Sequence, residues 1–241
     1  MDKQITLLVP EKTDIEFDQV VKTWTEKGGR IKRLGKYWIR DESLVGQPIA
    51  IYGNQTFSLV LAQIYNVELV SPDDTLIARL DRKWIKRNIE LKVIGEITQT
   101  DFPVFIKPAI PKLFLAGIFQ TFDEFRQVTN GLQNDEKLLM SSIVDPIQAE
   151  ARCYVMNGEI KDIALYEGSA DLTAARDFLT AFIGSNMHLL PKVVVVDIAY
   201  SEQTGWFVLE FNGCWGAGLN NCSAENVIEC IIGATTTAAV M

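Results

Sequence analysis

Two acids and one amide in the C-terminal quarter of the chain, Asp197, Glu210 and Asn212, are spaced so that strand geometry can bring their oxygens together. Residues 193–199, Val-Val-Val-Val-Asp-Ile-Ala, read as a buried strand. Residues 202–205 supply turn chemistry, and 206–211 read as the second strand of a hairpin. Side chains alternate across a strand, so Glu210 and Asn212 share one face while Leu209 and Phe211 take the other. With Asp197 on the same side of the neighbouring strand, the three form a cluster of hard oxygen donors. Such a cluster suits Mg²⁺, which binds carboxylate and carbonyl oxygens and keeps water and phosphate as its remaining ligands. The plainer alternative makes Asp197 and Glu210 solvated strand-end acids. Both, however, close apolar runs, where an unpaired charge is costly.

A second set of charged residues points to an anion. Lys107 closes the apolar run 102–107, where its ammonium either meets an anion or reaches back to solvent along its own stem. Pro108 and Pro111 force an irregular loop before a strand resumes near Leu115. Over residues 149–156 the alternation places Glu150, Arg152 and Tyr154 on one face and Ala151, Cys153 and Val155 on the other, before the hairpin turn Asn157-Gly158. A cross-strand salt bridge accounts for Glu150 and Arg152 equally well. The Gly- and Asn-rich stretch 213–221 follows the oxygen cluster, either as the wall of an acceptor pocket or as a plain loop before the last helix.

The elements that must position these groups can be read along the chain. Residues 5–9 form a strand, a helix runs from 14 or 15 to 27 and stops at Gly28-Gly29, and 48–52 form another short strand. A helix over 56–65 buries Phe57, Val60, Leu61 and Ile64, and 67–70 return as a strand. Ser71-Pro72-Asp73-Asp74 signals the start of a helix over 75–88, and a domain boundary falls near residue 80. Thr121-Phe-Asp-Glu124 is a capping box for a helix reaching 129. The apolar run 138–144 is broken by Asp145-Pro146. Residues 171–183 are an amphipathic helix with Leu172, Ala175, Phe178, Leu179 and Phe182 as its core stripe, and Ser223 caps a final helix over 224–239.

Composition bounds the function. The chain has 241 residues, 48% of them hydrophobic and 22% charged, enough to bury a substantial core. The net charge of −8 opposes a nucleic-acid partner, in spite of local basic clusters at residues 30–36 and 79–87. Four cysteines without a Cys-x-x-Cys pair and the single His188 leave little for a structural zinc site or for histidine-based nucleophilic catalysis. Reduced thiols are expected. The absence of a membrane-length apolar run and of a leader-like N-terminus gives the expectation of a cytoplasmic protein.

The order Phe-Ile-Lys107-Pro, Lys112-Leu-Phe with Gly117-Ile-Phe, Glu150-Ala-Arg152-Cys-Tyr-Val, Val-Asp197-Ile and Leu-Glu210-Phe-Asn212 resembles the ATP-grasp superfamily, most closely its clade named for one arginine and two lysines. The resemblance implies an α/β (α+β) ATP-grasp fold. A small N-terminal α/β domain, residues 1–80, would precede an ATP-grasp domain, 81–241, whose subdomains (81–140 and 141–241) sandwich ATP. It further implies that Lys107 contacts the ATP phosphates under a lid at 109–117. That lid lacks the usual run of small residues, so Lys112 stands in for its phosphate contacts. Ser142, Ile143 and Val144 fall where main-chain groups meet adenine, Asp145 or Glu150 where the ribose binds, and Arg152 beside the phosphates or an acyl phosphate. Asp197, Glu210 and Asn212 match the magnesium ligands, and Lys83, Lys86 and Lys92 are alternatives for the adenine side.

The implied activity is an ATP-dependent carboxylate-amine (or thiol) ligase working through an acyl phosphate with ATP and Mg²⁺. Its partners would be a small-molecule or peptide carboxylate and an amine acceptor, with no membrane partner and with a homodimer as an allowed assembly. The competing readings are a phosphotransferase that stops at phosphoryl transfer and a noncatalytic nucleotide-binding or interaction module.

Overall fold

The computed structural model describes residues 4–12, 14–110, 113–144 and 146–237. The first elements are β1 (Thr6–Pro10), α1 (Ile15–Glu26), β2 (Arg30–Leu34), β3 (Ile49–Ile51), α2 (Gln55–Tyr65) and β4 (Val67–Leu69). Next come α3 (Arg82–Ile85), β5 (Ile89–Val93), β6 (Val104–Pro108), β7 (Gly117–Phe119), α4 (Phe122–Val128) and β8 (Lys137–Ser141). The last are β9 (Ala149–Met156), β10 (Glu159–Gly168), α5 (Leu172–Asn186), β11 (Val193–Ser201), β12 (Gly205–Asn212), α6 (Ala224–Ile232) and β13 (Thr235–Thr237). Contacts divide the chain into two units. One holds Met1–Pro72, Ala149–Ile198 and Glu210–Met241, and the other holds Asp73–Gln148 and Ala199–Leu209.

In the first unit β2, β1 and β3 form a parallel sheet in that order. Alternation in β1 sends Leu7 and Val9 into a cluster with Val227, Ile228 and Ile231 of α6, and Leu8 to the opposite face against Phe57 and Leu61 of α2. Both faces are thus apolar, as a parallel sheet covered on two sides requires. Asp14 and Asn54 start α1 and α2 by accepting the amides of Phe17 and Phe57 at 3.1 and 3.0 Å, which satisfies donors that a helix leaves open at its first turn. The same unit carries most of a sheet ordered β10-β9-β11-β12; the chain leaves the unit within β11 after Ile198 and re-enters it within β12 at Glu210. One face of this sheet meets α5, where the Phe182 and Phe211 rings lie 6.1 Å apart. The other face sends Tyr154, Val193 and Val195 into the α6 cluster.

The second unit is built on an antiparallel sheet ordered β5-β8-β6-β7. Val104, Ile106, Leu138 and Phe119 from one face pack on Phe125 of α4, a fully buried ring with Phe119, Phe102 and Phe114 at 5.7, 6.1 and 6.2 Å. Lys107 lies on the opposite face, paired in register with Leu139. Arg87 is buried in this unit and is held by carbonyls: Nη1 donates to Ile85 and Val208 at 3.0 and 2.9 Å, and Nη2 donates to Leu209 at 2.9 Å. Burial pushes its guanidinium down to about 10.

Several elements depart from the sequence reading. The helix expected over 75–88 is two short pieces, a 3-10 turn at Leu76–Arg79 and α3, separated by extended Leu80 and Asp81. Asp81 turns its carboxylate onto the Lys83 amide at 2.8 Å, the local bond by which aspartate competes with helix, and Lys86 then ends α3 in the left-handed region. The final helix expected over 224–239 stops at Ile232, where the β-branched Thr235–Thr237 pairs antiparallel with β4. Residues 238–239 of that expectation lie outside the described residues. The basic stretch 30–36 contains a strand, β2, whose Lys32 and Arg33 are paired with Asp41 and Asp18. Among the described residues no helix is long and apolar enough to cross a membrane.

Candidate functional site

On the α6-facing side of the sheet, β9 and β11 change character along their length. Tyr154, Val193 and Val195 are packed in apolar surroundings, and the next positions on the same face are Arg152, Glu150 and Asp197. The alternation expected at 149–156 therefore holds, and the face it makes polar is the one that carries Asp197. Glu210 and Asn212 join it from the end of β12. The Asn212 amide nitrogen lies 3.0 Å from Asp197 Oδ2 and 3.1 Å from Glu210 Oε1. Phe211 points the other way, onto Phe182.

Asp197 is 1% exposed. Arg152 grips both of its oxygens, Nε to Oδ1 at 2.9 Å and Nη2 to Oδ2 at 2.7 Å, and sends Nη1 to the Gly218 carbonyl at 2.8 Å. Burial pushes the Asp197 carboxyl above its ordinary value, while the Arg152 bonds pull against that rise. For Arg152, burial works against the charge, but the bonds and charge of Asp197 outweigh it, and the guanidinium is held above its ordinary value. The cross-strand salt bridge considered from sequence forms at Arg152, whose partner is Asp197 on the neighbouring β11. Glu150 instead accepts the Tyr166 hydroxyl from β10, and the Tyr166 ring lies 5.9 Å from the Arg152 guanidinium carbon. Burial raises the Glu150 carboxyl, the Tyr166 bond opposes this, and the charges of Glu167, Asp197 and Glu210 add to the rise.

The donor chemistry fits a hard divalent cation. Two carboxylates share one amide, and the partial positive charge of the Asn212 NH₂ group lies against both of them, as a cation drawn to these oxygens would. Turning the amide over presents its oxygen instead, and amide orientation follows the surrounding charge. Asp197 would share its Oδ2 while keeping Arg152. Among the described residues no group of three or more His, Cys, Asp or Glu side chains forms a metal cluster, so the set rests on two acids and an amide.

The remaining expected residues lie elsewhere or outside the description. Lys107 belongs to the second unit, as do Ser142, Ile143 and Val144. The Ser142 amide donates to the Asn88 carbonyl at 3.0 Å, its hydroxyl accepts the Asn88 amide at 3.1 Å, and its carbonyl accepts the Ser141 hydroxyl at 2.9 Å. Lys92 is engaged by Asp101 at 2.9 Å, and Lys83 lies over the Trp84 ring at 4.9 Å. Lys112 and Asp145 lie outside the described residues.

The structure adds contacts the sequence reading did not foresee. Tyr52 and Tyr154 both donate to the Ala217 carbonyl, at 3.0 and 3.1 Å, and Tyr154 also reaches the Gly218 carbonyl at 3.0 Å. Glu16 of α1 accepts the amides of Leu219 and Asn220, each at 2.9 Å. Stretch 213–221 is therefore anchored from several elements of the first unit. Only its run of glycine and asparagine hinted at this in the sequence.

Comparison with known proteins gives a family and a fold. Residues 84–230 match the model of an ATP-grasp domain, family 2 of the clade named for one arginine and two lysines. No match is found among curated proteins. Among solved structures, a RimK domain protein ATP-grasp from Sphaerobacter thermophilus matches with TM-score 0.58 at 11% identity, over 95% of this chain and 100% of that one. A D-alanine–D-alanine ligase from Bacillus anthracis matches with TM-score 0.56 at 13% identity, over 96% of each chain. The D-cycloserine synthetase DcsG matches with TM-score 0.61 at 15% identity, over 95% of this chain and 99% of that one.

Proposed function

The chain belongs to the ATP-grasp family, in the clade named for one arginine and two lysines, and from that premise we propose that it is an ATP-dependent ligase joining a carboxylate to an amine or thiol, with Asp197, Glu210 and Asn212 as its magnesium ligands. The observation that carries the reading is the single amide of Asn212 bridging two carboxylates, 3.0 and 3.1 Å away, on a polar sheet face. The ligase names among the structural neighbours agree with it.

In this reading the reaction is phosphoryl transfer from ATP to the substrate carboxylate, followed by attack of the amine or thiol on the acyl phosphate with loss of phosphate. Magnesium, when bound, neutralises phosphate charge and orients the transferred group. Asp197, Glu210 and Asn212 would hold the ion, and Arg152 fixes Asp197 in place through both of its oxygens. Of the five guanidinium donors of Arg152, three are committed to Asp197 and Gly218, which leaves one N–H on each of Nη1 and Nη2 for charge that develops on phosphate. Lys107 is the phosphate-binding lysine, the main chain at Ser142, Ile143 and Val144 receives adenine, and Asp145 or Glu150 receives the ribose. The acceptor arrives as the neutral amine, since the chain's single histidine, His188, belongs to the 3-10 turn after α5 and not to the polar sheet face.

Calorimetric titration of ATP with Mg²⁺ into the wild type and into Glu210→Ala/Asn212→Ala tests the reading. Magnesium-dependent binding by the wild type that is lost in the double variant supports it, followed by a screen of acids and amines for ADP release. Absence of binding by the wild type sinks it and moves the noncatalytic module to first place.

A further inference from the structure

We propose that Glu16, in the first turn of α1, is a positioning residue for Arg152, acting through a single peptide group. The peptide joining Gly218 and Leu219 carries both contacts: its N–H donates to Glu16 Oε2 at 2.9 Å and its C=O accepts Arg152 Nη1 at 2.8 Å. A trans peptide is planar, with these two groups pointing in opposite directions, so the plane has an anion at its positive end and a cation at its negative end. Each contact polarises the group toward the other. The second oxygen, Oε1, takes the next amide, Asn220, at 2.9 Å, and so fixes the carboxylate at two points.

The surroundings are shaped for this contact. A Cβ added at Gly218 would stand 2.7 Å from Glu16 Oε2, so the close approach depends on glycine there. Just beyond, Asn220 and Asn221 have φ of 46° and 69°, a left-handed stretch that needs outside support in non-glycine residues. Released from Glu16, the 218–219 plane loses the anchor on its N–H side, and the direction of the Gly218 carbonyl is left to Arg152 and the Tyr154 hydroxyl, 3.0 Å away. The third anchor of the guanidinium is then weakened, while its two bonds to Asp197 remain. The sequence of contacts runs from Glu16 through peptide 218–219 to Arg152, Asp197, Asn212 and Glu210, and it places α1 in control of the proposed metal site. The inference rests on the reading of that site as functional, but its test is independent of turnover.

The test follows the Arg152 Nε–H proton of ¹⁵N-labelled protein, assigned by its disappearance in Arg152→Lys. In Glu16→Ala its exchange with water is expected to quicken severalfold, because a guanidinium held less firmly at Gly218 opens more often from Asp197. Glu16→Gln, whose one carbonyl oxygen can serve only one of the two amides, is expected to fall between. Gly218→Ala attacks the same contact from the other side. Its methyl displaces the flexible carboxylate without removing it, so it decides the question if Glu16→Ala folds poorly, and it is expected to reproduce the Glu16→Ala shift. Amides of β1 serve as the control and keep wild-type exchange. An Arg152 proton unchanged in both Glu16→Ala and Gly218→Ala overturns the proposal. If the wild type fails to bind MgATP while the Arg152 proton responds as described, the ligase reading falls and the positioning role stands.

Discussion

Arg152 on β9 and Asp197 on β11 meet edge to edge, with two nitrogens on two oxygens at 2.9 and 2.7 Å, at a carboxylate that is 1% exposed. Bidentate geometry and burial make this contact strong in its consequences when broken, because removing one partner leaves the other charge buried without compensation. Asp197→Ala and Arg152→Ala are each expected to lower the unfolding free energy by about 3–5 kcal/mol. Replacing both residues together with Leu and Met is expected to cost less than either single change. Urea denaturation of the four proteins checks this, and a double replacement that costs the sum of the two singles would show the pair is not coupled.

Glu150 gives a pH dependence of definite sign. Burial and its acidic neighbours raise its carboxyl, so the folded chain holds this proton more tightly than the unfolded chain does. The stability that this provides is fully present below the ordinary glutamate value and is lost as pH rises through the higher folded value. Glu150→Gln still accepts the Tyr166 hydroxyl and cannot ionise. It is therefore expected to be more stable than the wild type near neutral pH, with the gap closing by about pH 4. Unfolding curves of both proteins across that range decide it. A gap that does not change with pH would mean that Glu150 titrates alike in both states.

What could be read in advance divides by the distance over which each signal acts. The convergence of Glu210 with Asn212 follows from a two-residue repeat, a local property that survives whatever the strand packs against. The polar face of β9 followed from the same repeat. The partner of Arg152 did not, because it depends on β9 lying beside β11, a pairing that joins residues 45 positions apart in the chain. Glu16 is harder still. It stands 203 residues from Leu219 and looks in sequence like any acid in the first turn of a helix. β2 was hidden by its charges, since Lys32 and Arg33 are paired with Asp41 and Asp18, which lie apart from them in the chain. Thr235–Thr237 continued an apolar helix on paper, and pairing with β4 turned it into strand.

Arg87 supplies a prediction about stability. Its guanidinium satisfies the carbonyls of Ile85, Val208 and Leu209 and lies 5.3 Å from the Phe207 ring centroid. Arg87→Met fills much of the same volume but leaves those carbonyls without their donor, at about 1–3 kcal/mol for each buried group left unsatisfied. A loss of at least about 2 kcal/mol is expected in thermal or urea unfolding. Arg87→Lys is expected to recover only part of it, because one ammonium cannot reproduce the planar fork. Full recovery by lysine would reduce the role of Arg87 to its charge.

Lys107 separates a binding role from a folding role. It stands on the face of the β5-β8-β6-β7 sheet away from Phe125, so the core formed by Val104, Ile106 and Leu138 does not depend on it. Its charge is felt at Asp74, whose carboxyl is raised by burial and by Asp73 and is drawn back down by Lys107. Lys107→Met is therefore expected to unfold at nearly the wild-type denaturant concentration, while the Asp74 carboxyl titrates at a higher pH. If Lys107 meets the phosphates of ATP, the same change removes a charge-assisted bond worth about 1.5–3 kcal/mol and weakens MgATP binding by roughly ten- to a hundredfold. Carboxyl-resolved NMR titration and calorimetry on one preparation read both effects. Unchanged MgATP affinity alongside a shifted Asp74 would leave Lys107 an electrostatic neighbour of Asp74 and remove it from the phosphate site.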